Sequence, residues 1–122
     1  MSKKTKEVTR KVSILGTEWK IIYRDEDPAF DGAKGYANGV AKELVIANPK
    51  VENDSLDFSL SEQYIDQRRV VRHEIVHAFL IESGLDESSN TAESWATNEE
   101  MVDWIARQGP KIYKAWKDAD AD

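Results

Sequence analysis

SLSEQYIDQRRVVRHEIVHAFLIESG, residues 59–84, is the passage around which the rest of this chain organises itself. It opens on Ser59, a residue type that caps helix N-termini, and Glu62 three residues later completes a capping box. Gly84 stands where a terminating glycine belongs, so the spacing predicts one helix from Ser59 to about Ser83. From Val70 to Ile81 that helix is apolar on nearly every side, the pattern of a central, buried helix. The chain has only two histidines, His73 and His77, and both fall here, with Glu74 directly after the first. Residues four apart share one helix face a turn from each other, so the two imidazoles can hold one metal ion. Glu74 lies about 100° further round and can reach a water on that metal rather than the metal itself. Chance alone would give this HExxH arrangement in about 0.2% of such chains, and unpaired imidazoles in an apolar helix would cost free energy. A metal pair is therefore the reading of these residues.

Upstream, the pattern is β-like. Val12 and Ile14 alternate with polar residues, as do Trp19, Ile21 and Tyr23, and the Gly16-Thr17 pair between them predicts a tight type II′ hairpin over Lys11 to Arg24. Asp25 to Gly32 reads as a loop. Lys34 to Asn38 and Glu43 to Ala47 read as two further short strands, and Asn48-Pro49 stops the second. Residues 50–58 read as a polar connector. Downstream, Trp95, Val102 and Ile105 recur at helical spacing. A second helix is expected from about Thr91 to Gln108, stopped by Gly109-Pro110, with a short last helix carrying Ile112, Tyr113 and Trp116. Strands followed by helices make an α+β domain, a mainly antiparallel N-terminal sheet packed against the central helix and its successors.

Composition sets the bounds. At 122 residues the chain has the size of one domain, read as residues 1–122 with 1–10 as a flexible basic arm. It has no cysteine, which excludes a disulfide scaffold, an iron–sulfur site, a cysteine zinc finger and a cysteine nucleophile. A net charge of −6 argues against nucleic acid as the main partner. The charge is uneven: Lys3, Lys4, Lys6, Arg10 and Lys11 crowd the start, whereas residues 82–103 hold seven acids and no Lys or Arg. No apolar run suits a signal peptide or a membrane span, so the expectation is a cytoplasmic protein.

With no cysteine and no third histidine, a zinc site must take its third protein ligand from a carboxylate. The downstream segment offers Asn98-Glu99-Glu100-Met101-Val102-Asp103. Together with HExxH, this resembles the NExxxD pattern of the gluzincins, the thermolysin-like clan of zinc metallopeptidases. In that clan the Glu is the third ligand and the Asp one turn later accepts a hydrogen bond from the first metal-binding histidine. The resemblance thus implies Zn²⁺ held by His73, His77 and Glu99, with Asp103 behind His73. Glu100 is the rival ligand, but Trp104, not an aspartate, lies four residues after it, and Trp104 and Met101 are expected to face apolar neighbours.

The short length and the Gly35-Tyr36 and Glu43–Ala47 strands look like small metallopeptidase-like proteins of phages and mobile elements. The resemblance implies a zincin-like fold in a host-cell cytoplasm, and a peptidase whose catalytic residue is Glu74 and whose substrate is a protein or peptide. It also implies a sheet-edge strand that pairs with the substrate backbone, for which Leu44–Ala47 is the candidate. The chain departs from the clan in one respect: no further histidine remains to stabilise the oxyanion. Tyr36, Tyr64, Tyr113 and Arg107 are the substitutes on offer. That departure keeps an alternative open, a non-catalytic zinc domain that binds a partner protein.

Overall fold

The sheet starts with a hairpin, and its turn differs from the expected one. In the computed structural model, which describes residues 7–50, 59–88 and 95–122, β1 (Val8–Ile14) pairs antiparallel with β2 (Thr17–Arg24), and Ile14 faces Thr17. The two turn residues are therefore Leu15 and Gly16, with φ of 49° and 86°. Two left-handed residues make the type I′ pattern rather than II′, and its twist matches that of the strands. Leu15 adopts this conformation with its side chain exposed, so packing does not impose it. The expected arm over residues 1–10 is also corrected. Val8, Thr9 and Arg10 pair with Tyr23, Ile22 and Ile21. Their side chains are exposed, so no apolar alternation marked them as strand.

β3 (Gly35–Asn38) and β4 (Glu43–Ala47) complete a four-stranded sheet in the order β1-β2-β4-β3. β3 and β4 are antiparallel, but β2 and β4 run parallel, with Ile21 beside Leu44 and Tyr23 beside Ile46. The sheet is thus mixed, with two of its three pairings antiparallel. It also puts β4 in the interior, which overturns Leu44–Ala47 as an edge strand. β3 is the edge.

Period-two alternation sends Trp19, Ile21, Leu44 and Ile46 to one face, where they bury with Ile14 against Val70 and Ala78 of α1 (Leu60–Glu82). Trp19 and Leu44 are fully buried. Burying a large aliphatic side chain is worth about 1.5–3 kcal/mol, so this face dominates the domain's stability. Ile22 and Val45 face the other way, under Phe30 of the short 3₁₀ turn Pro28–Phe30 and beside Tyr36.

The capping box of α1 is formed: Glu62 N donates to Ser59 Oγ and Ser59 N to Glu62 Oε1, both at 3.2 Å. Gly84 follows the helix with φ of 80°. The helix is not sheathed all round, however. Phe79 is 42% and Ile65 59% exposed; among the described residues the sheet and α3 are the main layers packed on α1. Its C-terminus is tied to the hairpin through Glu82, which accepts from Trp19 Nε1 (2.7 Å), Thr17 Oγ1 (3.2 Å) and Lys42 Nζ (2.9 Å).

A four-residue helix α2 (Leu85–Ser88) and a 3₁₀ turn (Trp95–Thr97) lead to α3 (Glu99–Asp118). The polar connector 51–58 and residues 91–94 of the expected second helix lie outside the described residues. Asn98 caps α3 by accepting from Met101 N at 2.8 Å. α3 then runs straight through Gly109-Pro110 to Asp118, where two helices were expected. A proline inside a helix withholds the hydrogen bond to the carbonyl four residues back. That carbonyl belongs to Ala106, a residue 1% exposed, and Arg72 Nε of α1 donates to it at 2.5 Å. The neighbouring helix thus supplies a donor that the proline cannot. Val102, Ala96 and Leu80, with Val76 and Met101, fill the space between α1 and α3.

Candidate metal centre

His73 and His77 point from successive turns of α1 toward the first turn of α3. There the Glu99 carboxylate meets both: its Oε2 is 2.9 Å from His73 Nε2 and its Oε1 is 2.9 Å from His77 Nε2. The ligand atoms of all three residues lie within 4.8 Å of one another, a spread that modest side-chain rotation closes onto one ion. His73 Nδ1 is 3.1 Å from Asp103 Oδ1. Glu99 and Asp103 reach the same histidine because four residues of α3 place them on one face. Glu100 is exposed and is not part of this group.

The electrostatics favour a cation at this point. Burial would raise the Asp103 pKa, but hydrogen bonds from Arg107 and His73 and the charges of Arg69 and Arg107 outweigh it and hold the group at about 2. An ionised Asp103 only accepts, so a metal bound at His73 Nε2 would leave the ring proton on Nδ1, facing Asp103. At His77, burial works against a proton: it lowers the pKa, with His73 adding and Glu99 opposing. Two neutral imidazoles and one carboxylate are the donor set that suits zinc with a position left open. The residues therefore fit a divalent metal, and among the described residues they form a possible metal-binding group between α1 and α3.

Glu74 stands beside this group, not in it. It is 6% exposed, and no described residue hydrogen-bonds its carboxyl. Burial, with a smaller push from Glu99 against the pull of His73, raises its pKa to about 7. Glu74 is packed below the edge strand. A Cβ on Gly35 would lie 3.4 Å from Glu74 Cγ, 3.1 Å from Val70 Cγ1 and 3.0 Å from the Val45 carbonyl, so glycine lets β3 pass this closely. A cavity of about 270 Å³ opens here, lined by Gly32 to Gly35, Arg69, Val70, His73, Glu74 and Glu99. Another, of about 340 Å³ between Glu7, Arg24, Glu26, Asp27 and Pro28, shares no residue with it.

The four residues offered as oxyanion stabilisers do not converge on the cavity. Tyr36 is on the opposite face of the sheet, where its hydroxyl donates to Asp27 at 2.8 Å. Tyr64 and Tyr113 are about half exposed and do not line the cavity. Arg107 is bound to Asp103 Oδ2 at 2.6 Å. Trp104, expected among apolar neighbours, is 56% exposed, whereas Met101 does pack against the Val102 cluster.

The residue that the motif reading missed is Arg69. It lines the cavity and donates to Asp103 Oδ1 (2.6 Å) and to Asp66 Oδ1 (2.9 Å). Its position four residues before His73, on the same helix face, was the available signal. Among the described residues no helix is long and apolar enough to cross a membrane. Set beside known proteins, the chain matches no family model, no curated protein and no solved structure.

Proposed function

We propose that the protein is a zinc-dependent metallopeptidase of gluzincin type, with His73, His77 and Glu99 as ligands and Glu74 as general base. One observation carries the reading: a single carboxylate, Glu99, contacts the Nε2 atoms of both histidines, while the buried carboxyl of Glu74, which no described residue hydrogen-bonds, adjoins them at an open cavity. Bound zinc would polarise a peptide carbonyl and lower the pKa of a water at its free position. Glu74, buried beside the ligands and facing the cavity, takes the proton of the attacking water and hands it to the leaving amine. Asp103 holds the His73 ring in the required tautomer.

The substrate backbone pairs with β3. The bond from Ala47 N to Lys34 O (2.9 Å) sets the phase of the ladder, so Lys34, Tyr36 and Asn38 bond to β4. Gly35 and Ala37 turn their main-chain groups outward, next to Glu74. The test is zinc content and peptide-library cleavage for the wild type and Glu74→Gln. The expected result is equal zinc with cleavage lost by 10²-fold or more in the variant. Cleavage that survives in the variant overturns the role of Glu74. A second reading, a zinc scaffold for a partner protein, is favoured by one observation, the turn of Tyr36 away from the site. It expects no cleavage by either form and unaltered zinc.

A further inference from the structure

The contact between Arg72 and the Ala106 carbonyl does more than mend a helix. Three cross-links join α1 and α3 in succession: Glu99 to His73 and His77, Asp103 to His73 and Arg69, and Arg72 to Ala106. The first consists of the metal ligands themselves. The second joins α3 to a metal ligand, His73, and to Arg69. The third joins a guanidinium, charged at every ordinary pH, to a neutral carbonyl, so it holds whether or not a metal is present. Arg72 adjoins His73 in sequence, and Ala106 lies seven residues along α3 from Glu99, two turns on. The carbonyl is open to Arg72 because Pro110 has no N–H to offer it. With any other residue at position 110 the helix would compete for that carbonyl.

We infer that Arg72 is a positioning residue of the metal centre: through Ala106 it fixes α3 against α1 so that Glu99 already stands at both imidazoles before the metal arrives, and Pro110 is present to keep that carbonyl free. This rests on the metal-binding reading above but not on peptidase activity. Preorganised ligands lose less conformational freedom on binding, and groups that orient ligands are worth about 10- to 100-fold in metal affinity.

The experiment separates positioning from stability. Arg72→Met leaves a buried carbonyl without its donor, and its melting temperature in metal-free buffer falls. Adding Pro110→Ala gives the carbonyl a helical N–H, and the melting temperature recovers. Calorimetric titration with zinc alone is expected to show both Arg72→Met and Arg72→Met/Pro110→Ala binding about 10- to 100-fold more weakly than the wild type. Wild-type affinity in the double variant overturns the inference. So does affinity that merely follows melting temperature through the series. A wild type that binds no zinc removes the metal reading itself and this inference with it, a result distinct from the other two.

Discussion

Gly35→Ala tests whether the edge strand and the base are packed as closely as described. The added Cβ would sit 3.0 Å from the Val45 carbonyl, 3.1 Å from Val70 Cγ1 and 3.4 Å from Glu74 Cγ. Val45 is held on both sides by strand pairing, and Val70 is 5% exposed in the core. Neither can retreat, so β3 must lift by a few tenths of an ångström. Overpacking of this kind costs about 1–3 kcal/mol. At about 2.1 cal/mol/K per residue, a chain of this length unfolds with an entropy near 0.26 kcal/mol/K, so the melting temperature should fall by about 4–12 °C. The three atoms nearest the added Cβ belong to none of the metal ligands, so zinc affinity should stay within about twofold while peptide cleavage falls at least tenfold. Thermal denaturation by circular dichroism and zinc titration measure the two quantities on the same sample. An unchanged melting temperature would refute the close approach of β3 to α1. A zinc affinity lowered tenfold would refute the separation of base from ligands.

Glu99→Ala should abolish tight zinc binding, whereas Glu100→Ala leaves it within about twofold; equal retention by the two variants, read by metal analysis after dialysis, rejects the ligand assignment. Asp103→Ala should keep the fold but weaken zinc by about 10- to 100-fold, a loss that titration calorimetry reads directly. Acid should destabilise the protein through Asp27, Asp66 and Glu82. The Ala29 N–H, Tyr36 and Arg24 lower Asp27. Burial of Asp66 is outweighed by Arg69 and Lys34, and Lys42 and Trp19 lower Glu82. Each has a folded pKa below its unfolded value, so its contribution is complete above about pH 5 and is lost as pH falls through about 4 and below. Glu82→Gln should flatten part of that fall in melting temperature, and an identical acid slope in the variant would count against it.

Local signals in the chain were legible because their partners are near in sequence. Ser59 and Glu62 are three residues apart and form their box; His73 and His77 are one turn apart and share a face. The strands of β2 and β4 were legible for the same reason, as alternation is a property of each run alone. Their parallel pairing was not, since nothing local says that β4 returns past β3 to lie beside β2. The type of the hairpin turn was obscured by Leu15, whose positive φ runs against its residue type. Pro110 read as a helix end because its compensating donor, Arg72, is 38 residues away. Arg69 escaped notice for a related reason: a motif shows ligands, while the groups that orient them are fixed only when two helices meet.

Glu99 stands apart from the two imidazoles in its 68% exposure, and that would set the order in which an ion is taken up and released. The imidazoles are rooted in the packed helix, and the carboxylate closes over them from the water side like a latch. Loading and release can then proceed by the swing of one side chain, with no opening of the core. An ion bound here would join a chain already folded on its sheet and helices, the reverse of a zinc finger, where the ion is the core. A chelator should accordingly strip such a protein in its folded state, quickly and reversibly, and return it to the same melting curve once metal is restored.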